Sequence, residues 1–117
     1  MAKWILLVGD NCADAAREDE FREWWEKIHL PDFSETRGTT RGTLYELVPP
    51  VPEQEHPEEM AKFVAVVEIE ADTADEVQKA LGDNMGPKKA EKGFSELKVP
   101  TRPAPFGVYR QICSLSK

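Results

Sequence analysis

Lys3-Trp4-Ile5-Leu6-Leu7-Val8-Gly9 carries five apolar side chains in succession, Trp4 to Val8. A strand with one face on a core and one in water alternates apolar with polar residues. This stretch does not alternate, so it reads as a strand buried on both faces. Asp10-Asn11 follows as a turn. Lys62-Phe63-Val64-Ala65-Val66-Val67-Glu68-Ile69-Glu70-Ala71 reads as another strand with apolar residues on both faces. Between them, Gly38 to Val48 alternates in part and is rich in strand formers, among them Thr39, Thr40, Thr43, Leu44 and Tyr45. Phe106 to Leu115 reads as the last strand, with Val108, Ile112 and Cys113 alternating in part.

Two helices separate these strands. The first is expected from Ala15 to His29, with Glu18, Asp19 and Glu20 near its start, where the helix dipole favours anions. Phe21, Trp24, Trp25 and Ile28 recur at i, i+3, i+4 and i+7 and form one apolar stripe. Pro31 then stops the helix, since it lacks an N–H and pushes Leu30 out of the α region. Thr73-Ala74-Asp75-Glu76 has the form of a capping box opening the second helix. Val77, Ala80, Leu81 and Met85 are its apolar stripe, Gly82 weakens its end and Gly86-Pro87 stops it. Lys88 to Lys92 reads as a further, solvated helical turn. Pro49, Pro50, Pro52 and the acidic stretch Glu53 to Glu59 form an exposed loop, and Pro100, Pro103 and Pro105 an extended linker.

The order is β-α-β-β-α-β in one domain, residues 1–117. It predicts an α+β, ferredoxin-like fold, an antiparallel sheet with both helices on one face. The helices cover only one sheet face, yet two strands are apolar on both. The second face must meet another surface, and a second copy of the chain is the simplest one. The expected assembly is a homodimer whose sheets face each other as a dimeric α/β barrel.

Composition narrows the function. The 117 residues carry a net charge of −7 with scattered lysines and arginines. Nucleic acid needs a positive face, so it is excluded as a partner, and an anionic membrane surface is disfavoured for the same reason. No apolar run reaches the length of a membrane span, and Trp4 to Val8 is too short for a signal sequence. These features predict a cytoplasmic protein. Cys12 and Cys113 stand far apart with no Cys-x-x-Cys, and there is no His-x-x-x-His, so no metal site and no cofactor are expected.

Chemistry centres on His29. It ends the aromatic stripe, three residues before Asp32. A histidine there either caps the helix carbonyls or acts as an acid–base group. If Asp32 touches it, the carboxylate raises the imidazole pKa and fixes its tautomer, while a dry aromatic pocket lowers it. The balance would leave the group poised near neutral pH, able to take a proton beside a carbonyl and return it elsewhere. Trp4, Trp24 and Trp25 are the large rings available to a pocket, with at least one of them core. Tyr45 and Tyr109 can aim hydroxyls at a carbonyl or enolate, or serve as plain sheet residues. Arg41 and Arg110 are strand cations able to hold a carboxylate. His56 lies in the acidic loop.

The pattern resembles the dimeric α/β-barrel superfamily, and within it the EthD-like proteins, named for ethyl tert-butyl ether degradation. The likeness rests on the aromatic helix ending in Trp25-x-x-x-His29-Leu30-Pro31-Asp32 and on the element order. It implies a homodimer with one small-molecule pocket per subunit between the sheet and the first helix. It also implies an acid–base role for His29, oriented by Asp32. Strand histidines seen in some cyclases of the group are absent. The resulting expectation is a cofactor-independent isomerase, cyclase or lyase acting on a small, largely apolar ring or carbonyl compound. The alternatives are a non-catalytic small-molecule-binding or accessory dimer, and an oxygenase or haem-handling member of the superfamily.

Overall fold

A computed structural model of the chain describes residues 1–48, 60–92, 94–101 and 106–116. The expected loop carrying Pro49, Pro50, Pro52 and His56 lies outside them, as do Pro103 and Pro105. β1 spans Ala2–Cys12, β2 Thr39–Glu46 and β3 Phe63–Ala71. Between β1 and β2 runs one long helix, α1. It is α-helical over Glu18–Trp24, π-helical over Trp25–His29 and α-helical again over Leu30–Ser34. α2 spans Ala74–Lys92, and the short strands β4 and β5 span Lys98–Pro100 and Gly107–Arg110.

The sheet runs β2-β3-β1, and β4 and β5 share the far side of β1. β4 pairs Asp10–Cys12 and β5 pairs Trp4–Leu7, all antiparallel. This is the predicted ferredoxin-like arrangement, with the fourth strand position divided in two. In the β1–β3 ladder Trp4 faces Ile69, Leu6 faces Val67 and Val8 faces Ala65. All six are buried, in one cluster with Phe21, Trp25 and Phe33 of α1 and Val77, Leu81 and Met85 of α2. The alternate residues Ile5, Leu7, Val64 and Val66 form the other face and are only half-buried. The sheet is thus apolar on both faces, as the two runs predict.

Five local expectations are corrected. Asp10-Asn11 is not a turn. Ladder partners on both sides, Phe63 and Pro100 for Asp10, hold it extended against its turn preference. Pro31 does not end α1. The Leu30 N–H bonds to the Trp25 carbonyl five residues back, and this widened turn makes room for the proline ring at the start of the next segment. Pro87 does not end α2 either. Gly86 before it has no Cβ to clash with the ring, so the helix continues to Lys92. Finally, the last strand stops at Arg110. The Gln111 N–H still donates to the Lys3 carbonyl at 2.8 Å, but β1 begins at Ala2 and offers little more to pair with. Lys98–Pro100, at the edge of the expected linker, is a strand instead.

Two close approaches fix the sheet under the helices. Gly38 has φ +93°, and a Cβ there would lie 2.5 Å from the Glu70 carbonyl oxygen. Gly42 lies beneath the end of α1, where a Cβ would meet Ser34 Oγ at 2.4 Å. The Thr73 cap is present: its Oγ1 accepts from the Glu76 N–H at 3.2 Å, and Glu76 Oε2 accepts from the Asp72 N–H at 3.1 Å.

Candidate functional site

The buried row of α1 is Phe21, Trp25, His29 and Phe33, each four residues from the last. On an ideal α-helix a step of four overshoots a full turn by about 40°. Over three such steps the row would leave the core. The wider π turn between Trp25 and His29 absorbs this drift and keeps His29 and Phe33 facing inward. Ile28, expected in the stripe, is displaced to the surface at 49% exposure.

His29 is therefore not at a helix end. It is 1% exposed, inside a cage of aromatic rings. Its imidazole stacks on Trp24, with centroids 4.2 Å apart and planes 22° from parallel. It meets Trp25 at 4.4 Å, and Phe33 and Phe94 both at 4.7 Å, in edge geometry. Among the described residues Nε2 has no hydrogen-bond partner. Burial, with the Lys98 charge acting in the same direction, lowers its pKa to about 3. The expected poise near neutral pH is corrected accordingly: the imidazole is neutral at pH 7.

Asp32 does not raise it. Its carboxylate lies 3.7 Å from Lys88 Nζ, and its carbonyl accepts from Asn84 Nδ2 at 2.7 Å and from Lys88 Nζ at 3.1 Å. Among the described residues no hydrogen bond joins Asp32 to His29. The two nonetheless border one cleft of about 280 Å³, with Trp24, Ile28, Lys88 and Phe94. Of the candidate site residues, His29, Asp32 and Trp24 are thus brought together.

The others lie elsewhere. Trp25 is wholly buried beneath the cleft. Trp4 is core, and its Nε1 donates to the Ala71 carbonyl at 3.0 Å. Tyr45 is exposed on β2. Tyr109, Arg110 and the edge of Trp4 border a separate hollow with Lys3, Ile5 and Gln111. Arg41 and Arg110 are exposed on strands.

Four residues at the site carried no clear sequence signal. Asp10, within β1, is fully buried, and its Oδ1 accepts from Lys98 Nζ at 2.5 Å. Burial raises the Asp10 pKa, while the Lys98 charge and hydrogen bond and the Trp25 indole oppose that rise. Lys98 Nζ also lies 5.7 Å from the Trp25 ring centroid. The Trp25 indole also interacts with the Asp10 carboxylate, although among the described residues neither Asp10 Oδ2 nor Trp25 Nε1 makes a hydrogen bond of regular geometry. Phe33 continues the spacing of four from Phe21, but Pro31 masks it in the sequence. Phe94 sits beyond α2 and reaches His29 only through the tertiary fold. A second cavity, about 530 Å³, lies between α2 and the sheet, and Phe33, Phe94 and Lys98 border it.

No protein-family sequence model matches the chain, nor does any curated protein sequence. Solved structures do. HapK from Hahella chejuensis is 14% identical, with 97% of each chain covered and a TM-score of 0.61. An ethyl tert-butyl ether degradation (EthD) family protein from Bacillus halodurans is 15% identical, covering 96% of this chain and 100% of that one, at 0.59. A protein described as a putative antibiotic biosynthesis monooxygenase from Bordetella bronchiseptica is 16% identical, covering 98% and 100%, at 0.57. The likeness to EthD proteins read from α1 and the element order holds at the level of the fold. No helix among the described residues is long and apolar enough to cross a membrane.

Proposed function

We propose that the chain is a dimeric, cofactor-independent enzyme that moves a proton on a small, largely apolar ring or carbonyl compound, with His29 as the acid–base group. The observation that carries this reading is the unpartnered, neutral Nε2 of a histidine buried among four aromatic rings at a cleft. A buried polar atom without a partner is a stability cost that a bound ligand can relieve. A neutral imidazole with so low a pKa is a weak base on its own. Abstraction beside a carbonyl produces an enolate, whose negative charge then stabilises the imidazolium in the same dry space. Trp24, stacked on the imidazole, supplies a π face to the cation as it forms. Asp32, tied to Lys88, belongs to the rim and positions the helix end rather than the proton.

The open sheet face supports the dimer. Ile5, Leu7, Val64 and Val66 lie there half-buried, flanked by exposed Tyr45 and Tyr109. An apolar patch of this kind marks an interface.

Proton transfer can be tested without the natural substrate. Cyclic ketones and lactones are incubated with the protein in deuterium oxide, and exchange beside the carbonyl is followed by mass spectrometry. Acceleration by the wild type that His29→Gln loses supports the reading. Equal exchange by both proteins contradicts it. A second reading follows from the low pKa. A ligand hydroxyl that donates to Nε2 would need no basicity at all, which suits a binding protein. Saturable binding without exchange would select it.

A further inference from the structure

We propose that the cavity between α2 and the sheet binds a small aromatic carboxylate, its anion on the Lys98 ammonium and its ring over Gly82 and Gly86. This goes beyond the acid–base reading and holds whether or not His29 moves a proton.

The cavity measures about 530 Å³, within the usual size of a small-molecule site. Its walls are apolar: Val8, Phe33, Leu81, Met85 and Phe94. Its polar side chains are Gln78, Lys89 and Lys98, and no carboxylate is among the lining residues. The α2 side of its mouth carries two glycines. Gly82 and Gly86 are one helical turn apart, and a Cβ built on either meets nothing within 4 Å. Glycine inside a helix is less favourable than alanine. Both glycines are exposed at the mouth of the cavity, so a large side chain at either position would have room to cover it.

Lys98 gives the cavity its charge selectivity. Its side chain is 10% exposed. Among the described residues Asp10 Oδ1 is its hydrogen-bond acceptor, and Asp10 is not a lining residue. An ammonium has three N–H donors, so two remain for a ligand. A carboxylate has the acceptors to take both. Asp10 balances the Lys98 charge when the cavity is empty, and Lys89 at the rim leaves the lining net positive. A cation would be repelled, and an uncharged ligand would gain less from the ammonium. Phe33 and Phe94 offer ring edges and faces to a flat body.

The probes are 2-naphthoate and its uncharged twin, 2-naphthalenemethanol, titrated into the whole chain by calorimetry. The acid is expected to bind saturably and the alcohol roughly tenfold more weakly. Gly82→Leu, which covers the cavity mouth and favours the helix, should abolish acid binding. The pair Asp10→Asn/Lys98→Met, which removes both charges together, should erase the preference for acid over alcohol. If a variant fails to fold, methyl-labelled methionine in the wild type decides: the Met85 signal should move with the acid while those of Met1 and Met60 stay. No saturable heat, equal binding of acid and alcohol, or wild-type binding by folded Gly82→Leu would each overturn the proposal. So would a Met85 signal that moves on dilution and not with acid, since a second copy would then occupy the cavity. The acid–base reading fails separately, through exchange that His29→Gln leaves intact.

Discussion

The imidazole of His29 lies on the indole of Trp24, centroids 4.2 Å apart and planes 22° from parallel. Both rings border the cleft, so the indole is the contact through which a ligand there reaches the histidine's environment. Trp25, next in sequence, points into the core and meets the same imidazole edge-on. One adjacent pair of tryptophans thus serves two surfaces.

Burial of neutral His29 makes stability depend on pH. The folded pKa is about 3, against 6.5 for an unperturbed imidazole. Between these values the unfolded chain binds a proton at His29 and the folded chain does not. Stability therefore falls as pH drops below about 6.5, by up to about 1.4 kcal/mol per unit from this group. Asp10, whose folded pKa is raised, contributes with the opposite sign. Denaturant unfolding between pH 7 and 4 should show the His29 slope as the difference between wild type and His29→Phe. A difference that does not change with pH would refute it.

The Asp10–Lys98 pair is expected to be strongly coupled. Lys98→Met alone leaves a fully buried carboxylate without its cation and should cost about 3–5 kcal/mol. Asp10→Asn/Lys98→Met should recover most of that loss. Additive losses in a double-mutant cycle would show that the two do not act as a pair.

Val66 sits on the open sheet face between Leu7 and Thr43. If the proposed dimer forms through this face, Val66→Lys should leave the monomer folded and move the equilibrium toward monomer by at least about tenfold, read by sedimentation equilibrium. An unchanged association constant would place the interface elsewhere.

Gly42→Val should destabilise the fold by about 1–3 kcal/mol, because its side chain meets Ser34 Oγ and Leu30 Cδ1 beneath α1. Thermal unfolding gives the value. A neutral result would mean that α1 is not seated this closely on β2.

The architecture was readable because it rests on long periodic runs. Trp4 to Val8 and Phe63 to Val67 carry apolar residues on both faces, and Thr73-x-x-Glu76 marks a helix start by its own chemistry. Local rules fail at Asp10-Asn11, which ladder partners hold extended, and most consequentially at the prolines. Pro31 breaks a helix only if the helix must be regular, and a π turn removes that condition. Reading it as a stop put His29 at a helix end and hid Phe33. At the site, His29, Asp32 and Trp24 were legible from their spacing. Asp10, Lys98 and Phe94 were not, since three separate segments meet only after the sheet forms. The His29 pKa was misjudged for the same reason. Asp32 is near in sequence, but Lys88 holds it, and the charge acting on the imidazole comes from Lys98.

The claim that His29 is held neutral by its aromatic cage is tested most directly by the nitrogen-15 shifts of its imidazole. They would be assigned with His56→Gln and followed from pH 8 to pH 4 in the unliganded protein. A neutral ring throughout, with no titration near 6.5, is the expected result. Protonation near pH 6.5 would contradict the buried, unpartnered histidine on which the proposed chemistry depends.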